Sequence, residues 1–310
     1  MIFLVACAEP AAKWTSGELF IEQIDLGGMA IGESALIVGP DGTSLLVDTG
    51  NDAHRAAVRD AVTAATGEPT VDWELLTHYH ADHIGGFGAV DVRQSVVTRG
   101  PVHLDGDVNL DEYEPVREAG GVELCTEAGC DPWSVDLGDG ATFTLRVADG
   151  WVGDERADVG TDENARSLGG VLVWGEFSAW FGGDLTGGGK DTPDVEAFVA
   201  ARIADGPVDV LQLHHHGIDS STHGAWLDAL LPLNDSDHNV IVGATGAYLA
   251  APDTDVVERV LPRLGNGRVW VTEDGMLGGP GTEVVHGDVV VRVTEGGDAY
   301  TVQGEGFAAR

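Results

Sequence analysis

The chain has 310 residues, of which 43% are hydrophobic and 22% charged, and these proportions exclude a wholly disordered protein. Acidic residues outnumber basic ones by 52 to 16, so the formal charge of −36 disfavours binding to long nucleic acids or anionic membranes. No run approaches the roughly 20 apolar residues of a membrane span, and the excess of acid favours a salty or extracytoplasmic setting.

The first residues predict a short leader before one large domain. Cys7 follows the apolar run MIFLVA, which resembles the lipobox of bacterial lipoproteins. The apolar run is shorter than a complete signal peptide and no positive charge precedes it, so a chance match is the alternative. We therefore expect a truncated signal and tether over residues 1–17, with a possible lipid anchor at Cys7, and a domain over 18–310.

From residue 18 onward, short apolar runs alternate with Gly- and Asp-rich turns, the pattern of an α/β fold. Strands are predicted at ALIVG, SLLVDTG, WELLTHYH, QSVVTR, ATFTLRVAD, GGVLVWG, AWFGGD, VDVLQLHHHG and HNVIVGAT, and a closing β-hairpin at GDVVVRVTEGGDAYTVQG. Apolar residues at helical spacing predict helices over 53–66, 194–204, 222–231 and 253–264, and residues 87–160 are predicted to be mostly irregular.

Cys125 and Cys130 stand five residues apart in LCTEAGCD, a spacing that permits a small surface disulfide in an oxidising compartment. Five further histidines belong to no motif, and we expect them on the surface. They are His54, His103, His223, His238 and His286.

The strongest chemical signal is LLTHYHADHIGG, where four potential ligands follow a buried strand within six positions. They are His78, His80, Asp82 and His83. Imidazole and carboxylate groups suit Zn²⁺ and also Mn²⁺ or Fe. Holding three imidazoles and a carboxylate together on one loop would be energetically costly without a bound metal. This loop therefore predicts a metal site.

This H-x-H-x-D-H motif resembles the signature of the metallo-β-lactamase superfamily, and the resemblance extends over roughly 18–305. It implies an αββα sandwich of two mixed sheets flanked by helices, with two divalent metal ions between the sheet edges, zinc first and manganese or iron as alternatives. In that family pattern His78 and His80 bind one ion, while Asp82 and His83 bind the other. Asp48 in LLVDTG matches an early aspartate that orients the ligands.

The family pattern next expects an acidic residue and a histidine after two later strands. Asp184 in WFGGDLTGG matches the acid that bridges the two ions. VDVLQLHHHGIDSST resembles the ComEC-like competence proteins, and alignment on His-His-Gly makes His215 the ligand. In this alignment His216 faces the substrate or takes part in catalysis, and His214 is an insertion.

The same branch resemblance implies substrate-side residues. Asn164 and Ser167 in ENARSLGG match a pattern in which Asn replaces a histidine that most superfamily members carry. Ser220 or Ser221 falls near a later serine of the branch. Ile218 replaces another serine, and GAYLAAPD keeps Tyr248 but lacks the histidine expected after it. Asn164, Ser167, Ser221 and Tyr248 are thus predicted to support the ligands or to bind the substrate.

The resemblance implies a hydrolase that uses a metal-bound hydroxide, with Asp82 or Asp184 orienting it and accepting a proton. A phosphodiester, and preferably a small one given the charge, is the favoured substrate. A lactone, thioester or β-lactam is the alternative enzyme substrate. A non-catalytic metal-binding surface protein is the alternative outside the enzymes, since fold does not fix function.

Overall fold

The computed structural model describes residues 13–28, 30–104, 107–243, 251–273 and 281–310, so Cys7 and Tyr248 lie outside the described residues. The helices are α1 Arg55–Thr66, α2 Ala81–Ile84, α3 Leu110–Ala119, α4 Val195–Ala200, α5 Gly224–Leu230 and α6 Thr254–Val260. The strands are β1 Leu19–Gln23, β2 Ala35–Val38, β3 Ser44–Val47, β4 Thr70–Leu75, β5 Asp91–Thr98, β6 Val122–Glu123, β7 Cys125–Thr126, β8 Gly129–Cys130, β9 Ser134–Gly138, β10 Ala141–Val147, β11 Trp151–Val152, β12 Glu155–Arg156, β13 Gly169–Trp174, β14 Phe177–Phe181, β15 Val210–Gln212, β16 Asn239–Val242, β17 Val269–Val271, β18 Thr282–Val284, β19 Val289–Val293, β20 Ala299–Val302 and β21 Glu305–Ala308.

Two large mixed sheets form the centre of the fold. One has nine strands in the order β21-β20-β19-β1-β2-β3-β4-β5-β6, and the other has eight in the order β18-β17-β16-β15-β14-β13-β10-β9. Within them β3 runs parallel to β4 and β14 runs parallel to β15, while β1 and β13 pair antiparallel with both neighbours. The predicted site residues Asp48, His78, Asp184 and His215 follow the C-terminal ends of β3, β4, β14 and β15.

The inner faces of the two sheets pack against each other and the helices cover the outer faces. Ile21 and Leu75 of the first sheet share a buried cluster with Phe143 and Leu172 of the second. Helix α1 packs on the outer face of the first sheet, and α4, α5 and α6 pack on the outer face of the second. Burying each large aliphatic side chain contributes about 1.5–3 kcal/mol. The predicted αββα sandwich is confirmed.

The helix predicted over 53–66 is confirmed, with a 3-10 turn over Asp52–His54 leading into α1. Asn51 caps the turn by accepting a hydrogen bond from the N–H of Ala53, and Gly67 ends α1 in the left-handed conformation with φ of 92°. The later helices are shorter than predicted. They end at Ala200, Leu230 and Val260.

The segment predicted to be irregular holds a helix that the pattern did not indicate. Asn109 caps α3 through the N–H of Glu112, and only Tyr113 and Val116 of this helix are buried. Pro115 inside the helix and a narrow apolar face concealed its period. In the same region Cys125 and Cys130 form the predicted disulfide across the β7–β8 hairpin.

Two of the five histidines expected on the surface are buried. The Nδ1 of His54 accepts the N–H of Asn51, and the Nδ1 of His238 lies 2.7 Å from the carbonyl oxygen of Val208. Tertiary packing covers both rings, which a local sequence pattern cannot reveal. None of the helices in the described ranges is both long and apolar enough to cross a membrane.

Candidate metal centre

The candidate site lies where strands of both sheets end, as expected for a site built at carboxyl ends of parallel strands. Asp48 follows β3 and His78 follows β4 in the first sheet. Asp184 follows β14 and His215 follows β15 in the second. The site therefore joins the two sheets, and residues far apart in the sequence become neighbours.

One half of the site contains His78, His80 and Asp184, whose ligand atoms lie within 4.8 Å of one another. The Nε2 of His78 lies 3.2 Å from the Nδ1 of His80 and 3.7 Å from the Oδ2 of Asp184. Thr77 places its hydroxyl 3.1 Å from the other nitrogen of His78, Nδ1. The Nε2 edge of the imidazole ring is therefore directed at Asp184.

The other half contains Asp82, His83 and His216, again with ligand atoms within 4.8 Å. Helix α2 begins after His80 and carries Asp82 and His83. The Oδ2 of Asp82 lies 3.5 Å from the Nε2 of His216, and the Nε2 of His83 lies 3.2 Å from the Oδ1 of Asp184. Asp184 thus presents one carboxylate oxygen to each half.

Asp48 supports the ligand loop, residues 77–83, through hydrogen bonds to its first and last residues. Its Oδ1 accepts the N–H of Thr77 at 2.7 Å, and its Oδ2 accepts the Thr77 hydroxyl at 2.7 Å. The Nδ1 of His83 lies 2.7 Å from the same Oδ2. This contact orients the ring of His83 so that Nε2 faces Asp184, the arrangement described for histidine ligands in metalloproteins.

A buried ion pair fixes the backbone between the first two histidines. Glu163 accepts the N–H of Tyr79 at 2.9 Å and the Nη2 of Arg99 at 2.8 Å. Both charged side chains are fully buried, so removing one would leave the other unpaired in the interior. The sequence motif contains neither partner, and nothing in its pattern indicated them.

The alignment predicts His215 as a ligand, and the rings of both His215 and His216 lie at the candidate site. Both have left-handed backbone conformations, with φ of 53° and 55°, so adjacent rings reach different halves of the site. His216, not His215, shares the group formed by Asp82 and His83. The Nε2 of His215 instead lies 3.5 Å from the Oδ2 of Asp184 and 3.4 Å from the Nδ2 of Asn164. Sequence alone does not reveal two consecutive left-handed residues.

The predicted polar neighbours contact the ligand residues to different degrees. Ser167 accepts the backbone N–H of Asp184 at 3.2 Å. Ser221 is buried, with its hydroxyl 3.5 Å from that of Ser220, and the hydroxyl of Ser220 lies 2.5 Å from the Nδ1 of His215. Of the two serines that the sequence left open, Ser220 is therefore the one that contacts His215.

His214, predicted to be an insertion, anchors this loop. Its Nδ1 lies 2.6 Å from the Oε1 of Glu196, and its Nε2 accepts the indole N–H of Trp180 at 2.8 Å. Glu196 also accepts the N–H groups of Thr222 and His223 at 2.7 and 2.9 Å. The network binds the histidine loop to α4 and β14.

Replacing His214 by phenylalanine is expected to lower the free energy of unfolding by about 3 kcal/mol, because the buried Glu196 carboxylate loses one of its partners and the buried indole N–H of Trp180 loses its acceptor. Urea denaturation of wild type and variant measures this loss. The same substitution at His286, which is 67% exposed, is the control and should change stability by under about 0.5 kcal/mol. Equal losses in the two variants would contradict the anchoring role.

Glu33 belongs to the site although no motif indicated it. It lies just before β2, and its side chain forms a third group with His83 and Asp184. Burial raises the pKa of its carboxyl to about 8, against the opposing influence of His216. An isolated glutamate at a strand entry has no recognisable spacing, so sequence analysis could not have found it.

The electrostatics of the site reflect several titratable groups held close together. Burial and the neighbouring His83 lower the pKa of His78 well below its usual value. For His83 the opposite holds: burial is outweighed by carboxylates, Asp184 foremost, which raise its pKa well above the usual value. Burial lowers the pKa of His216, but the attraction of the Asp184 and Asp82 carboxylates exceeds this effect and raises the pKa to about 9.

The described residues fit divalent metal ions. Several buried polar atoms of the site have no hydrogen-bond partner in the described part of the chain, a state that costs about 1–3 kcal/mol per group. They are the Nε2 atoms of His83 and His216, the Oδ1 atoms of Asp184 and Asn164, and both carboxylate oxygens of Glu33. Imidazole and carboxylate donors are the ligands that zinc, manganese and iron accept in proteins. Metal binding would satisfy these atoms together.

Comparison with known proteins identifies the family. The family model described as the metallo-beta-lactamase superfamily matches residues 29–244, more than two thirds of the chain. The chain therefore belongs to this superfamily, whose members are metallo-hydrolases. No protein of curated function shows significant sequence similarity to it.

Several solved structures are similar to the chain at low sequence identity. Tm1679, a metal-dependent hydrolase of the beta-lactamase superfamily, is 15% identical over 81% of this chain and 95% of its own, with a TM-score of 0.46. A diphosphatase from the PhnP family is 14% identical over 89% of this chain and 98% of its own, with a TM-score of 0.41. A metallo-beta-lactamase from Cronobacter sakazakii is 16% identical over 59% of this chain and 71% of its own, with a TM-score of 0.37.

Proposed function

We propose that the chain is a metal-dependent hydrolase of a small phosphodiester, with two divalent ions held around Asp184. The observation that carries this proposal is the position of Asp184, which gives one carboxylate oxygen to each of two groups of donors. The proposed ligands of one half are His78, His80 and His215, and those of the other half are Asp82, His83 and His216. The ions would lower the pKa of water and stabilise negative charge on the substrate.

The more exposed side chains of the site are the ones that would meet substrate and water. The side chains of Asp82, His80 and His215 are 26%, 22% and 20% exposed, whereas that of Asp184 is buried. We expect Asp82 to orient the attacking water and accept its proton. The hydroxyl of Ser220, 2.5 Å from the Nδ1 of His215, would hold that ring as a ligand.

Two observations support a small phosphodiester. The first is the resemblance of ENARSLGG to the competence-type pattern, in which asparagine replaces a histidine of most superfamily members, and that resemblance favours phosphodiesters. In addition, all 16 lysine and arginine side chains pair with a carboxylate, so none is left to neutralise the phosphates of a long nucleic acid. Bound ions would supply the local positive charge for a small anionic substrate.

Hydrolysis of bis-p-nitrophenyl phosphate, compared with nitrocefin and a simple lactone, tests this function. We expect the phosphodiester to be turned over fastest, and His80→Ala to reduce that rate by at least about 10²-fold. His286→Ala, at an exposed histidine, is the matched control and should leave the rate unchanged. Faster turnover of nitrocefin or lactone would favour the other hydrolase class. A full metal complement without turnover of any substrate would favour a non-catalytic binding protein.

A further inference from the structure

Glu33 is held against the metal centre by its own backbone. Its N–H donates to the carbonyl oxygen of Asp82 at 3.1 Å, and its carbonyl oxygen accepts the N–H of Gly50 at 3.0 Å. These bonds tie it to the ligand loop on one side and to the turn after Asp48 on the other. The residue is only 2% exposed, so its position is fixed by both neighbours.

The side chain of Glu33 has no structural partner that would explain its burial. Neither carboxylate oxygen has a hydrogen-bond partner within the described ranges, and no lysine or arginine pairs with it there. A donor oxygen of Glu33 lies within 4.8 Å of those of His83 and Asp184. Gly243 closes the opposite side, since a Cβ there would lie 3.1 Å from the Oε1 of Glu33. Among the described residues, the donor atoms nearest to this carboxylate are therefore those of the metal centre.

Including Glu33 makes the two halves chemically different. The half around Asp82 then has three carboxylates, from Glu33, Asp82 and Asp184, and the imidazoles of His83 and His216. The half around His78 and His80 has three imidazoles, with that of His215, and its one carboxylate is that of Asp184, which both halves share. Carboxylates suit hard ions such as Mn²⁺ and Mg²⁺, whereas imidazoles suit Zn²⁺.

We propose that Glu33 is an additional metal ligand, which shifts the preference of the Asp82 half towards Mn²⁺ relative to Zn²⁺. This inference rests on the metal centre of the proposed function. The Glu33 carboxylate belongs neither to the H-x-H-x-D-H motif nor to the later ligands that the family pattern predicts.

Glu33→Gln tests the inference, because it removes the charge with little change of shape. Binding isotherms on metal-free protein, followed by electron paramagnetic resonance for Mn²⁺ and by competition with a chromophoric chelator for Zn²⁺, give both affinities. We expect the variant to bind Mn²⁺ about 10–100-fold more weakly, and Zn²⁺ to be affected several-fold less. Glu74→Gln is the matched control, since Glu74 is also fully buried and, within the part of the chain that the structure describes, has no hydrogen-bond partner and belongs to none of the three donor groups.

The outcomes separate this inference from the proposed function. If Glu33→Gln changes Mn²⁺ affinity no more than Glu74→Gln, or weakens both metals equally, the inference is wrong while the metal centre remains. If the wild type binds neither metal, the proposed function and the inference both fail. Should Glu33→Gln not fold, anomalous diffraction from Mn²⁺-loaded wild type decides. A Glu33 oxygen within about 2.5 Å of manganese supports the inference, and a longer distance overturns it.

Discussion

Asp184→Asn is expected to lower phosphodiester hydrolysis by on the order of 10³-fold and to reduce bound metal from about two ions per chain to one or fewer. Asp184 is the side chain that contacts both halves, with Oδ1 3.2 Å from the Nε2 of His83 and Oδ2 3.7 Å from the Nε2 of His78. An amide of the same shape has one oxygen and no charge, so it can serve only one half, and weakly.

The substitution should leave the apo fold intact, because it preserves the volume of a buried side chain and the bond from the Asp184 N–H to Ser167. Elemental analysis and steady-state kinetics on the same preparation measure both effects. Asp228→Asn, at an acid that is 70% exposed, controls for the change of charge and should match wild type. Activity within tenfold of wild type with a full metal complement would show that Asp184 is not the bridge.

Glu74→Gln is expected to flatten the pH dependence of stability between about pH 5 and 8. Glu74 lies on β4, fully buried, and burial raises the pKa of its carboxyl to about 8, with Asp48 adding to the effect. In the unfolded chain the pKa is about 4.3. Between these two values the folded protein holds a proton that the unfolded chain releases.

The sign of the effect follows from this difference. The stabilising contribution is fully present below about pH 4.3 and is lost as pH rises through about 8, because unfolding then releases a proton. At 1.36 kcal/mol per pH unit the loss between pH 5 and 8 is on the order of 4 kcal/mol. Wild type should therefore lose more stability than Glu74→Gln over this range.

Urea denaturation of metal-free protein at several pH values between 5 and 8 measures the difference. The other titrating groups are common to both proteins, so their contributions cancel in the comparison. Glu118→Gln, at an exposed glutamate on α3, should follow wild type at every pH. If Glu74→Gln also runs parallel to wild type, the buried carboxyl is not protonated in the folded protein.

The part of the site that the sequence could predict is the part encoded by local spacing. His78, His80, Asp82 and His83 stand together after one strand, and their clustering indicated a metal without any structure. Asp184 could be found because the family pattern expects an acidic residue after a later strand, and WFGGDLTGG supplies one. Alternating strands and helices indicated an α/β fold, and the resemblance to the superfamily implied the sandwich.

The remainder depends on contacts between distant segments. Glu196 supports His214 from 18 residues away, and Glu33 approaches His83 only when β2 and β4 join the same sheet. The separation of His215 and His216 into different halves of the site depends on their positive φ values. None of these features has a spacing or propensity that could be recognised along the chain.

The central claim is that two divalent ions are held around Asp184, and metal content per chain tests it most directly. Protein purified without a histidine tag, reconstituted with zinc or manganese and then dialysed, should contain about two ions per chain by elemental analysis. The Asp184→Asn variant treated in parallel should contain one or fewer. No bound metal in the wild type after reconstitution with either ion would contradict the claim.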